Sequence, residues 1–178
     1  MVFADLDRDL SADLLAGMLE RKRTELVRRL DELPVIPATR EFADHVLDEG
    51  YRVAVASGAR RTEVTGVLER AGLLDDVEVI VTAEDVERGK PDPEPYGTAL
   101  ARLNEDPAGC PLTPGNCLVI EDARIGIQSA RAAGMWVVAL TTTYPADALT
   151  EAHLILPDLG GITLAGILDR MPAVEGGQ

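Results

Sequence analysis

The stretch Cys117-Leu118-Val119-Ile120-Glu121-Asp122-Ala123-Arg124-Ile125-Gly126 limits the folds open to this chain more than any other. An apolar run ends in two adjacent carboxylates. After a short turn, Ile127-Gln128-Ser129-Ala130-Arg131-Ala132-Ala133-Gly134 reads as a helix stopped by a glycine. A strand that delivers acids at its carboxyl end and then passes into a helix belongs to a parallel sheet with a site at its rim. Adjacent carboxylates repel each other unless a positive group lies beside them. A hard cation that prefers oxygen ligands, such as Mg2+, is the fitting partner. Solvated acids at an ordinary strand end are the plainer alternative.

The rest of the chain repeats the alternation. Ser11 caps a helix that starts at Ala12, with Leu14, Leu15, Met18, Leu19, Leu26 and Leu30 at helical spacing. Pro34 and Pro37 break it, and a second helix spans Thr39 to Asp48. Residues 51–56 read as a strand running into Ser57-Gly58, and a helix follows from Arg60 to Ala71. Val77–Val81 is a strand, Glu94–Leu103 a helix, Trp136–Leu140 a strand, and Asp147–Glu151 a short helix. His153–Leu156 is a last strand and Thr163–Arg170 a last helix. Strands alternating with helices predict an α/β domain with a parallel sheet.

Net charge narrows the partners. The 178 residues carry 31 acids and 17 bases, a formal charge of −14. That argues against nucleic acid and against an anionic membrane surface, and it requires local positive groups wherever an anionic substrate is held. Cys110 and Cys117 have neither metal-ligand spacing nor a disulfide framework. No apolar run is long enough to span a membrane, and the expected setting is reducing and cytoplasmic.

Three strand ends carry polar groups: Ser57, Glu121-Asp122 and the run Thr141-Thr142-Thr143. In a doubly wound sheet all carboxyl ends share one edge, so these groups can converge. A hydroxyl with a glycine, Ser57-Gly58, lets backbone N–H groups approach an anion. Lys90, in a loop shaped by Gly89 and Pro91, can reach over the same edge as a point charge for a phosphate. Hydroxyl, lysine and carboxylates together describe a phosphoryl-transfer pocket. Neither a Walker-type lysine loop nor a GxGxxG fingerprint is present.

The motifs Val53-Ala54-Val55-Ala56-Ser57-Gly58, Arg88-Gly89-Lys90-Pro91-Asp92-Pro93 and Val119-Ile120-Glu121-Asp122-Ala123 follow in an order and at spacings that resemble the haloacid dehalogenase-like (HAD) hydrolases. The resemblance is specifically to the branch containing β-phosphoglucomutase and small sugar-phosphate phosphatases. The resemblance runs from about Asp9 to Arg170. It implies a Rossmann-like parallel sheet flanked by helices, with a remnant of a helical cap at the N-terminus. It further implies a Mg2+-dependent phosphatase or phosphomutase acting on a small phosphorylated metabolite. Ser57 and Gly58 would bind the phosphate, Lys90 would neutralise phosphate and nucleophile, and Glu121 and Asp122 would hold Mg2+. Ala123 stands where the family often has serine. Lys22 falls where related enzymes carry a basic cap helix, although a surface lysine is the plainer reading.

The family's first motif, a nucleophilic aspartate and a second aspartate after an apolar strand, has one superficial match in Asp5-Leu6-Asp7. Arg8 and Asp9 replace the glycine and the hydroxyl or valine expected next. The preferred expectation places residues 1–33 at the end of the cap, 34–172 in the α/β core and 173–178 in a polar tail. On that reading the first strand is missing, and Met1–Leu6, another chain or a longer protein would complete the sheet. The alternative function is a non-catalytic phosphate- and metal-binding protein, or a fragment of a longer enzyme.

Overall fold

The computed structural model describes residues 11–29, 32, 35–105 and 110–171. The chain divides into two compact units, Met1–Pro34 and Val35–Gln178. The first contributes one helix, α1 (Ala12–Arg28), whose start is capped by the Ser11 hydroxyl accepting the Leu14 N–H at 3.3 Å. Leu14, Leu15 and Leu19 are exposed on it, as is Lys22. Leu30 and the Asp5-Leu6-Asp7 segment lie outside the described residues.

The second unit runs α2 (Pro37–Asp48), β1 (Ala54–Ala56), α3 (Arg61–Arg70), β2 (Val79–Val81), α4 (Glu94–Leu103), β3 (Leu118–Glu121), α5 (Arg124–Ala132), β4 (Trp136–Leu140), β5 (Leu154–Leu156) and α6 (Leu164–Leu168). All strand pairs are parallel. β1 pairs with β2 in register Val55↔Ile80, and β4 lies between β3 and β5 in registers Val119↔Val137 and Ala139↔Ile155. The predicted α/β alternation is what forms. The first strand is shorter than its apolar pattern because the Tyr51 N–H bonds the Val46 carbonyl at 2.9 Å, closing the end of α2 instead of joining the sheet. The predicted Asp147–Glu151 helix is a single 3-10 turn over Ala146–Ala148, after which Leu149 is drawn into the core at 1% exposure.

β4 shows the burial of a central parallel strand: Val137, Val138 and Ala139 are fully buried. β1 does not; all three of its residues are only half-buried. The reason is pairing. The Ser57 N–H bonds the Val81 carbonyl and the Val53 carbonyl accepts from Glu78, so residues 53, 55 and 57 face β2. Alternation then turns the backbone groups of Ala54 and Ala56 the other way. Likewise Trp136 donates to the Cys117 carbonyl, so Leu118 and Ile120 of β3 face away from β4. Among the described residues neither of these outer edges meets another strand, and the two sheets remain separate. Helices nonetheless tie them together. Tyr96 of α4 and Ile127 of α5 share one buried cluster with Val119 and Val137. On α2, Ala43 packs on the α3–β1–β2 cluster while Phe42 packs on the cluster around Val138 and Ile167.

The loop after β2 is knotted by Asp85. Its carboxylate accepts from Arg61 of α3 at 2.7 Å, from Arg102 of α4 at 2.9 Å, and from the Thr82 N–H and hydroxyl at 2.8 and 2.6 Å. The Thr82 hydroxyl above all, with the two guanidinium groups, overcomes desolvation and holds this carboxyl well below the usual aspartate range. Asp85→Asn is expected to destabilise the fold by about 2 kcal/mol at neutral pH, between the values for exposed and buried ion pairs. Because the folded-state pKa is depressed, this advantage is complete above the unfolded-state value of about 3.9 and declines as pH falls below it. Urea unfolding of both proteins at pH 7 and pH 3 checks the size and its convergence.

Candidate active site

The loops at the carboxyl ends of the strands enclose an open cavity of about 830 Å3. Ser57, Gly58, Lys90, Glu121 and Asp122, the five residues singled out in the sequence, all line it. Ser57 follows β1 directly and its hydroxyl accepts the Ala59 N–H at 3.2 Å. Gly58 faces open space, with nothing within 4 Å of where a Cβ would stand.

Lys90 reaches the centre of this edge from the β2–α4 loop. The loop is fixed on both sides. Asp92 accepts the Glu94 N–H at 3.0 Å at the start of α4, and the fully buried Ser129 of α5 donates to the Asp92 carbonyl at 2.6 Å. The Lys90 ammonium donates to the Ala56 carbonyl on β1 at 3.0 Å, to the Tyr96 hydroxyl at 3.0 Å and to Glu121 Oε1 on β3 at 2.5 Å. It also lies 4.7 Å from the Tyr96 ring centroid, a cation–π contact. Both side chains of the ion pair are nearly removed from solvent, 13% exposed for Lys90 and 10% for Glu121.

The two acids of the β3 end are in different situations. Glu121 Oε1 accepts from Lys90 and from the Tyr96 hydroxyl at 2.8 Å, and Oε2 accepts from the Asp122 and Ala123 N–H groups at 3.0 and 3.2 Å. Burial pushes its carboxyl up. The Lys90 charge, the Tyr96 hydroxyl and the backbone N–H together outweigh burial and bring it below its usual value. Asp122 accepts on Oδ2 from the Thr143 hydroxyl at 2.5 Å, and among the described residues its Oδ1 takes no hydrogen bond. Tyr96 is driven far above the ordinary phenol range by burial first and then by Glu121 and Asp122, so it is a neutral donor. No third His, Cys, Asp or Glu joins the two acids in a metal-ready cluster among the described residues.

Sequence reasoning read Tyr96 only as part of a helix and gave Thr143 no individual role. The available signal for Tyr96 was its place six residues after Lys90, on the first turn of the helix that the Lys90 loop leads into. Gly126 is needed for a reason the sequence did not show: a Cβ there would overlap the Glu121 carboxylate.

Residues 3–134 match the family described as haloacid dehalogenase-like hydrolase, and the chain belongs to that family. Within it the chain falls in the branch of phosphatases and phosphomutases related to β-phosphoglucomutase. It is 42% identical over 107 residues to the validoxylamine A 7'-phosphate phosphatase of Streptomyces hygroscopicus subsp. limoneus, a match covering 60% of this chain and 47% of that protein. It is 28% identical over 150 residues to the β-phosphoglucomutase of Bacillus subtilis, covering 83% and 61%. The fold is that of Rhodobacter sphaeroides CbbY solved with phosphate, at a TM-score of 0.74 and 22% identity, over 89% of this chain and 70% of CbbY. The chain therefore spans about half to two thirds of the length of these curated relatives.

The close packing of Gly126 on Glu121 carries a direct expectation. Gly126→Ala should cost about 2 kcal/mol in urea unfolding, since neither the buried carboxylate nor its four partners can move freely. Gly97→Ala, on α4 with nothing within 4 Å of a Cβ, should instead stabilise by about 0.5 to 1 kcal/mol.

Proposed function

We propose that this chain carries the phosphate- and metal-binding half of a Mg2+-dependent phosphatase or phosphomutase acting on a small phosphorylated metabolite such as a sugar phosphate. The observation that supports it most is the Lys90 ammonium, held between the ends of β1 and β3 with Ser57, Gly58 and Asp122 around the same cavity. In a protein of net charge −14 this is the positive group an anionic substrate needs at the sheet edge. Ser57 and the Gly58 backbone would donate to phosphate oxygens, and Lys90 would neutralise the charge that builds as the phosphoryl group transfers.

The donor set fits Mg2+, which is held by one or two carboxylates together with substrate oxygens and water. Asp122, with Oδ1 open, and Glu121 beside it would hold it, and Thr143 keeps the other Asp122 oxygen in place. When bound, Mg2+ supplies charge stabilisation for the phosphate oxygens and a template for their alignment. Transfer through an aspartyl-phosphate requires one further carboxylate in line with phosphorus. Its natural place is on a parallel strand entering between β1 and β3, next to Lys90. Residues 1–33 are read as part of a cap that would shape the substrate site. A reducing compartment such as the cytoplasm suits the two free thiols, Cys110 and Cys117.

Assays of the purified 178-residue chain, and of a version extended upstream in the coding sequence, on sugar phosphates and phosphoglycolate with Mg2+ or with EDTA test this reading. The extended version should turn over a phosphate ester with Mg2+, the 178-residue chain should show little or none, and Lys90→Met and Asp122→Asn should each lower kcat/KM by about a hundredfold or more. Robust turnover by the 178-residue chain that Asp5→Asn abolishes would place the nucleophile at Asp5. Activity indifferent to Lys90→Met and Asp122→Asn would overturn the reading. Phosphate binding without turnover in either version would favour a non-catalytic binding protein.

A further inference from the structure

We infer that a hollow at the amino edge of the three-stranded sheet, the edge opposite the candidate active site, binds a small planar carboxylate, with its acid group between Arg131 and His153 and its ring against Trp136.

Parallel strands bring their amino ends to one edge. There Cys117 precedes β3, Trp136 opens β4 and His153 precedes β5. A hollow of about 330 Å3 is lined by Gly115, Arg131, Gly134, Met135, Trp136 and His153. That volume suits one small ligand. In a chain with 31 acids, none of these lining residues is a carboxylate.

His153 sets the chemistry. Its backbone N–H donates to the Val137 carbonyl at 2.9 Å, and its ring Nδ1 accepts the Val137 N–H at 2.9 Å. Val137 is fully buried, so its N–H needs that acceptor. Burial first, and then the Arg131 charge, bring the imidazole below its usual pKa, and the ring is neutral at pH 7. A neutral imidazole has one acceptor nitrogen and one donor nitrogen. With Nδ1 accepting, the proton sits on Nε2. Nε2 faces Nη1 of Arg131, and a guanidinium can only donate. Two donors therefore converge without an acceptor, and among the described residues no carboxylate pairs with Arg131. An oxyanion supplies what both lack, one oxygen for the His153 Nε2–H and the other for the guanidinium. Arg131 is exposed at the last turn of α5, so a change of rotamer admits it. The remaining wall suits a flat body. The Trp136 and His153 rings lie 4.4 Å apart between centroids and tilt by 49°, and buried Met135 lines the same hollow. Gly115 and Gly134 leave it unfilled. One guanidinium matches the single charge of a carboxylate better than the double charge of a phosphate, in a protein already at −14.

Trp136 is the single tryptophan of the chain, so its indole N–H resonance reports on this hollow and not on the candidate active site. The test titrates the full chain with benzoate, and with acetate, cyclohexanecarboxylate and inorganic phosphate for comparison, following that resonance by NMR. Benzoate should shift it saturably with a Kd of about 1 mM or lower, within reach of so small a ligand. The three comparison anions should bind at least about fivefold more weakly, the contribution of an aromatic contact. Arg131→Gln, at an exposed position that leaves the fold intact, should weaken benzoate about tenfold or more through loss of a charge-assisted hydrogen bond. In 15N spectra His153 should be the neutral Nε2–H tautomer, with that proton moving downfield as benzoate binds. The signal is assigned by its loss in His153→Gln. Should that variant not fold, His45→Gln leaves His153 as the one histidine and assigns it equally. Absence of a saturable shift, benzoate affinity unchanged in Arg131→Gln, or a proton on Nδ1 would each overturn the inference. Phosphate or cyclohexanecarboxylate binding as tightly as benzoate would overturn the assignment to a planar carboxylate.

Discussion

The ion pair between Lys90 and Glu121 is the interaction on which the site depends. It connects the loop after β2 to the end of β3, and through the Ala56 carbonyl it also reaches the end of β1. A buried pair of this kind is a weak source of net stability, because desolvation offsets most of the attraction. Its value lies in placement. Both charges are held at fixed positions by neutral partners, Tyr96 and two backbone N–H groups, and by the packing of Gly126. A positive group already in place needs little reorganisation when an anion arrives, the condition under which electrostatic stabilisation of phosphoryl transfer is strongest.

The sheet supplies the geometry for that pair and, among the described residues, two open edges beside it. β4 is buried on both faces, while β1 and β3 each direct one row of backbone groups into the space between the two sheets. Helix contacts hold the two sheets side by side: α4 and α5 share the Tyr96–Ile127 cluster, and α2 reaches the clusters on the other side. The Lys90 ammonium crosses this space at its carboxyl end. The Ala56 carbonyl on the outer edge of β1 and the Glu121 carboxylate at the end of β3 thus meet at one ammonium.

Much of this was legible in the sequence, and the reason differs from part to part. The strand ends announced themselves because an apolar run followed directly by Ser57-Gly58 or Glu121-Asp122 has few other meanings in an α/β chain. Lys90 was legible from its loop. Their convergence followed from topology alone, since every parallel strand presents its carboxyl end to the same edge. What stayed hidden depended on tertiary approach. Tyr96 reads as one more apolar helix position until the helix is docked beside Glu121. The different partners of Glu121 and Asp122 are invisible in two adjacent acidic letters, because they arise from which oxygen the turned backbone N–H groups and Thr143 can reach. The short β1 and the single turn at Ala146–Ala148 were missed because Tyr51 and Leu149 are claimed by neighbours distant from their own pattern.

The most direct measurement is a crystal structure of the chain soaked with Mn2+ and with tungstate as a heavy phosphate analogue, read by anomalous scattering. The account predicts tungstate hydrogen-bonded to the Ser57 hydroxyl beside the Lys90 ammonium, and Mn2+ on Asp122. Tungstate bound away from Ser57 and Lys90, or Mn2+ bound away from Asp122, would contradict it.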